Sequence, residues 1–216
     1  MKSTGLLGAI AALSVAAGGV CAADLKAETR NVAAFDSVEM RGAAKVDITV
    51  GKPQSVTIEA DVDELKHIVT EVRGTTLVIR RDQDWWSDWR PKHVHVLVAL
   101  PKLTGYTLEG TAETNIAGLN GGTSAFAING TGNIKASGKL DRLSLNLNGT
   151  GNADFSNVPV DVASVSVNGT GSARVKPANE LTASVNGVGS VIYDGAPQHL
   201  TTAINGIGSV RQARSQ

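Results

Sequence analysis

Aromatic residues supply only 4% of this 216-residue chain, cysteine occurs once, and 20 basic side chains balance 20 acidic ones. Each scarcity excludes something. With so few large rings, a thick sandwich core lacks its usual filling, and a narrow core built in thin layers is the better expectation. Balanced charge removes the basic footprint that marks a nucleic-acid binder. The lone Cys21 lies near the start, so a chain cut just after Ala22 or Ala23 carries no disulfide and no thiol chemistry. Long apolar runs are missing too. Leu6 to Ala17, interrupted by Gly8 and Ser14, falls short of the ~20 apolar residues that span a bilayer.

That short run follows Lys2 and leads to the small-residue stretch Val20-Cys21-Ala22-Ala23, the layout of a signal peptide over 1–23. The protein is expected to be exported, to the periplasm or the cell surface. Lipid anchoring at Cys21 is the minor alternative, because Val20 stands where such sites favour Gly, Ala or Ser. The rest, roughly 190 residues, suits one domain over 24–212.

What the chain has in plenty is glycine, 24 residues of it. Many of these glycines sit in a motif that returns about every nineteen residues. Its copies are Asn129-Gly130-Thr131-Gly132, Asn148-Gly149-Thr150-Gly151, Asn168-Gly169-Thr170-Gly171, Asn186-Gly187-Val188-Gly189 and Asn205-Gly206-Ile207-Gly208. A degraded copy surrounds Gly110. Before each motif, apolar and polar residues alternate, as in Leu143, Leu145 and Leu147; after it they alternate again, as in Ala153 and Phe155. Period two on both sides of a glycine break means two short strands joined at a bend. No stretch between copies is long enough for a crossover helix.

The expected fold is therefore all-β, a single-stranded right-handed parallel β-helix in which each coil lies on the last. Five copies should stand in a column about 19 Å tall. At each corner glycine leaves room for the coil above, and the Asn side chains should hydrogen-bond in a ladder along the axis. This explanation of Asn and Gly also removes the need to read Asn129, Asn148 and Asn168 as glycosylation sites. Regular repeats cover 104–212. Residues 30–103 are strand-rich but uneven, and are expected to be irregular opening coils with a short helix near 63–69; a separate amino-terminal sandwich is the alternative.

The Asn-Gly-Thr/Val/Ile-Gly repeats, with Phe35-Asp36-Ser37-Val38 near the start and Thr75-Thr76-Leu77-Val78-Ile79 midway, resemble the family named "putative auto-transporter adhesin, head GIN domain". The resemblance spans roughly 30–212. It implies a bacterial exported β-helix with an adhesion-like role, and it brings no catalytic or ligand residues with it.

Three groups of residues are candidate sites. The segment from Asp82 to Lys92 holds Trp85, Trp86, Trp89 and Arg90 between two strands. Flat indoles there either contact a sugar or an apolar partner, or fold back to cover the open end of the stack. His93 and His95 alternate on one strand and could share a metal with Asp84 or Asp88, or could be ordinary solvated residues. Asp141, Asp161 and Glu180 precede the motif glycines by seven or eight residues, with His199 in the same place one coil later. Stacked, they would form an acidic column able to hold a cation, unless they are turn residues splayed into water.

The function expected is a non-enzymatic interaction, adhesion-like or structural module of the cell envelope, with no cofactor and an envelope protein or glycan as partner. Association with further copies of itself stays open. A carbohydrate-active enzyme, a polysaccharide lyase or hydrolase, is the competing expectation, resting on fold analogy alone. Only seven acidic residues lie between Gly105 and Gln212, few for such chemistry.

Overall fold

Where apolar and polar residues alternate on both sides of a glycine pair, the chain runs as strand, corner and strand again, and each circuit lies on the previous one. A computed structural model describes residues 25–82 and 93–213; residues 1–24, 83–92 and 214–216 lie outside them. Fourteen strands join in one hydrogen-bonded sheet, wound as a β-solenoid of about five turns.

The amino-terminal part holds β1 (Leu25–Thr29), β2 (Ser37–Val50), β3 (Ser55–Asp61), helix α1 (Val62–Leu65), β4 (Ile68–Arg73), β5 (Thr76–Arg81) and β6 (His95–Leu100). The repeats follow as β7 (Gly105–Asn120), β8 (Thr123–Ile128), β9 (Thr131–Leu147), β10 (Thr150–Val167), β11 (Thr170–Val185), β12 (Val188–Tyr193), β13 (His199–Ile204) and β14 (Ile207–Gln212). From β7 onward every pairing is parallel.

The motif copies stack in register. Thr131, Thr150, Thr170, Val188 and Ile207 occupy one level of the corner column, and Gly132, Gly151, Gly171, Gly189 and Gly208 the next. Asn148 Nδ2 donates to Asn129 Oδ1 at 2.9 Å, Asn168 to Asn148 at 2.9 Å, Asn186 to Asn168 at 2.8 Å and Asn205 to Asn186 at 3.1 Å. The expected amide ladder is thus continuous through all five copies. Backbone bonds carry the ladder round the bend, with Thr150 N donating to Gly130 O at 2.9 Å and Thr170 N to Gly149 O at 2.9 Å.

Inside, each coil contributes one layer of apolar side chains. Ile128, Leu147, Val167 and Val185 form a buried row, in which Val167 and Val185 are fully enclosed. Phe126 and Phe155 meet edge to face at 4.9 Å between ring centres, the arrangement that ring quadrupoles prefer. Tyr106 is enclosed as well, and its hydroxyl is satisfied by Thr114 Oγ1 at 2.7 Å.

The amino-terminal part departs from the expectation of coils laid down in chain order. The stack runs β6, β2, β7, with β5 beside β6 as the other half of the outermost layer. β2 therefore lies between β6 and β7, although it precedes both in the chain. Antiparallel strands close this end: β3 pairs with β6, β1 with β3, and β4 with β5. The helix is also shorter than expected, because Ile68 already belongs to β4.

Candidate binding face

Past each corner the strand alternates, so Val46, Thr114, Ile134, Ala153 and Ala173 point into the core and their neighbours point out. Stacking turns these neighbours into two outward columns. One contains Lys45, Glu113, Asn133, Asn152, Ser172 and Ser190; the other contains Asp47, Asn115, Lys135, Asp154 and Arg174. Together they make a polar strip along one face of the solenoid.

At the amino-terminal end of the strip, His95 bridges three strands. Its Nε2 lies 2.6 Å from Asp47 Oδ2 on β2, and its Nδ1 lies 3.2 Å from Glu59 Oε2 on β3. Asn115 Nδ2 donates to the other Asp47 oxygen at 2.8 Å, and Lys45 Nζ stands 3.7 Å away. Burial pushes the Asp47 carboxyl up, but the bonds from Asn115 and His95 and the charge of Lys45 outweigh it, holding it below the usual carboxylate range.

Midway along, the strip dips into a groove of about 400 Å3 over β9, β10 and β11, with Glu113 of β7 at its edge. Asn152 donates through its backbone N and its Nδ2 to Asn133 Oδ1, at 3.2 and 3.1 Å. Asp154 Oδ1 accepts from Ser156 N at 3.0 Å and Ser156 Oγ at 2.6 Å. Burial again pushes up, and the Ser156 bonds with the Arg174 and Lys135 charges more than reverse it, so Asp154 is an acid well suited to stay ionised. Lys135 and Arg174 flank it from the coils on either side, exposed, and among the described residues neither forms an ion pair or a side-chain hydrogen bond.

A larger cavity, about 550 Å3, opens at the corner of β2. Met40, Ile68, Ile79 and Ala112 supply apolar wall, while Arg81 pairs with the buried Glu64. His93 and His95 both line it. In β2 only residues 42–44 separate Arg41, in register with Arg80, from Lys45, in register with His95.

The residues singled out from sequence fare unevenly. Trp85, Trp86, Trp89 and Arg90, with Asp84 and Asp88, lie outside the described residues. Among the described residues no three His, Asp or Glu side chains are grouped to hold a metal ion; His95 is engaged by Asp47 and Glu59 instead. The acidic column needs correction. Asp161 stands level with Asp141, since Val160 pairs with Leu140 and Val162 with Arg142. Glu180, however, pairs with Val162, one residue out of step, and faces His199 on its other side. The repeat holding Glu180 is shorter before its glycine, and the register shift in β10 absorbs the difference. Asp141 is also committed, accepting from Gly122 N at 2.8 Å.

Lys135, Asp154 and Arg174 were missed although a signal existed: each lies five residues after a motif glycine, Gly130, Gly149 and Gly169. Of Asp47, Glu59 and His95 the sequence singles out only His95, and it does not announce that the three meet, because the out-of-order layering brings them together.

The family model described as "Putative auto-transporter adhesin, head GIN domain" matches residues 34–197. Among solved structures, a putative adhesin from Bacteroides fragilis superposes with a TM-score of 0.73 at 19% identity, covering 89% of this chain and 98% of its own. A putative adhesin from Parabacteroides distasonis has a TM-score of 0.53 at 18% identity, covering 88% and 97%. At these identities the likeness is one of fold. No curated protein matches the chain. Among the described residues no helix is long and apolar enough to cross a membrane.

Proposed function

Because this chain belongs to the family described as "Putative auto-transporter adhesin, head GIN domain", we propose that it is an exported, non-enzymatic, adhesion-like module that offers its polar strip to a partner of the cell envelope. The observation that carries this reading is the strip itself. Its side chains stand on a backbone hydrogen-bonded coil to coil, so little ordering entropy is lost when a ligand settles on them. Polar, hydroxyl- and amide-rich columns suit a hydrated polymer or a polar protein surface.

The chemistry of the strip also favours binding over turnover. A glycosidase needs a carboxylic acid whose pKa is raised toward neutrality, beside a second carboxylate that stays ionised. Asp47 and Asp154 are both held low by hydrogen bonds and cations, which suits acceptors of hydrogen bonds rather than proton donors. The tryptophan segment lies between β5 and β6 in the sequence, and β6 carries His95 of the strip. We include its indoles as a second contact.

The test is capture of envelope glycans and surface proteins on the immobilised protein, with cross-linking in intact cells to identify partners. Specific capture that weakens in a Trp85→Ala, Trp86→Ala, Trp89→Ala variant supports both contacts. Capture unchanged in that variant assigns binding to the strip and leaves the indoles a covering role. Release of reducing ends or unsaturated products from any polysaccharide overturns the non-enzymatic reading.

A further inference from the structure

We infer that the groove around Asp154 is a subsite for a glycan that carries carboxylates on separate sugar units, with Lys135 and Arg174 each holding one and Asn133, Asn152 and Ser172 taking hydroxyls. This rests on the adhesion-like reading above and narrows its ligand.

Four observations combine. First, the groove is concave, about 400 Å3, and built on successive coils of β7, β9, β10 and β11 in parallel register, with Glu113 at its β7 end, one coil from Lys135 and outside the Lys135–Asp154–Arg174 column. Second, its two cations are uncommitted. Asp154 would be their natural partner, but its Oδ1 is turned to Ser156, and neither Lys135 nor Arg174 reaches it as an ion pair. A guanidinium offers a planar fork of donors that matches one carboxylate, and the ammonium two coils away attracts another as a point charge.

Third, the neighbouring column supplies a polar group on each coil. Asn133 Oδ1 already accepts twice from Asn152, which orients both amides and leaves Asn133 Nδ2 and Asn152 Oδ1 for a ligand. Ser172 continues that column on the next coil, hydrogen-bonded with Ser190 Oγ at 3.3 Å. Donors and acceptors mixed in this way match vicinal hydroxyls, each of which gives and takes a hydrogen bond.

Fourth, the ionised Asp154 sits between the cations, which lie two coils apart, about 9.6 Å at their backbones. A fixed negative charge at that point repels a densely charged chain such as a polyphosphate. It tolerates a ligand whose carboxylates are separated by hydroxyl-bearing units, since a hydroxyl donates readily to Asp154. That pattern is a glycan containing uronic acid.

The probe is an oligogalacturonate titrated into the full-length exported form, beside the same oligosaccharide with its carboxyls reduced to neutral alcohols. Calorimetry or chemical-shift mapping reads binding. The acidic probe should bind, its affinity should fall with added salt, and the neutral probe should bind at least about tenfold more weakly. Lys135→Ala and Arg174→Ala should each cost about tenfold, and Asn152→Ala should weaken acidic and neutral probes alike. Both cations are exposed, so circular dichroism and an unchanged melting temperature establish that the variants fold.

Equal binding of both probes, or binding indifferent to Lys135 and Arg174, overturns the subsite while leaving the adhesion-like reading in place. So does envelope capture that persists undiminished in the Lys135→Ala, Arg174→Ala double variant without any binding of the acidic probe. Capture of a polypeptide through the same two cations overturns the sugar assignment in favour of an acidic peptide. Absence of any envelope capture by the wild-type chain counts against the broader reading itself.

Discussion

At the residue scale, the corner glycines carry the strictest demand in the molecule. A Cβ placed on Gly149 would stand 2.0 Å from Gly130 O, and one on Gly171 would stand 2.0 Å from Gly151 O. These are backbone oxygens, and no rotamer change can move them. Gly149→Ala therefore has to separate two coils, and it is expected to destabilise by about 3 kcal/mol or more, in the range of severe packing faults. Gly42 offers the contrast within the same protein. Its φ is +117° but nothing lies within 4 Å of its would-be Cβ, so Gly42→Ala meets only backbone strain, about 1–3 kcal/mol. Thermal melts of the two variants should rank Gly149→Ala well below Gly42→Ala; the reverse order would mean that the corners are not closely stacked in solution.

At the element scale, the join between the antiparallel cap and the parallel coils runs through charged side chains. Asp47 on β2 accepts from Asn115 on β7 and from His95 on β6, and His95 reaches Glu59 on β3. The folded pKa of Asp47 lies below its ordinary value. The folded protein thus binds this proton less readily than the unfolded chain does. The resulting stabilisation is fully present above about pH 4, the unfolded carboxylate range, and is lost as pH falls through the lower folded value. Melting temperature followed from pH 6 down to pH 2 should fall less steeply in Asp47→Asn than in the wild type. Parallel curves for the two proteins would exclude Asp47 as a source of acid sensitivity.

Tyr106, on β7, titrates in the other direction. Burial pushes its phenol up to about 12, partly offset by the bond with Thr114. A raised acid favours the neutral form in the fold, so its stabilisation is complete below about pH 10 and is lost as pH rises toward 12. Alkaline unfolding should begin in that window and should shift when Tyr106→Phe removes the titrating group. Tyr106→Phe also leaves the buried Thr114 hydroxyl without its partner, so at neutral pH it should be less stable by about 1–3 kcal/mol. A variant as stable as the wild type at pH 7 would show that Thr114 finds another acceptor.

At the scale of the whole molecule, one apolar row shows how position in the stack decides what a residue is worth. Ile128, Leu147, Val167, Val185 and Ile204 fall in a single register line. The first four are buried, while Ile204 is 45% exposed, as is Leu200 in the same strand. The amino-terminal end is covered by antiparallel strands, whereas among the described residues β13 pairs only with β11. Ile204→Lys should accordingly change the melting temperature little, and Val185→Lys, one coil inward, should prevent folding because it places an unpaired charge in the core. Two similarly stable variants would show that the last coil does not stand where the register places it.

Much of this architecture was legible before any coordinates. The Asn-Gly copies at a near-constant spacing, flanked by period-two alternation, leave parallel winding as the arrangement that buries every apolar row, and the amide ladder follows from identical residues meeting coil after coil. Local pattern suffices there because each coil touches only its neighbours. Pattern fails where chain order and spatial order part. Nothing in 30–103 announces that β2 lies between β6 and β7, and so nothing announces that Asp47, His95 and Glu59 meet. The Asp161–Glu180 mismatch is a smaller case of the same kind, since one residue of register decides which side chains are neighbours. What the chain alone determined was the repeating unit and the atoms it must stack, because steric and hydrogen-bonding demands at an Asn-Gly corner are local. What only the tertiary structure decided was which layers adjoin at the irregular end and which outward side chains share a face, because those depend on contacts between residues far apart in sequence.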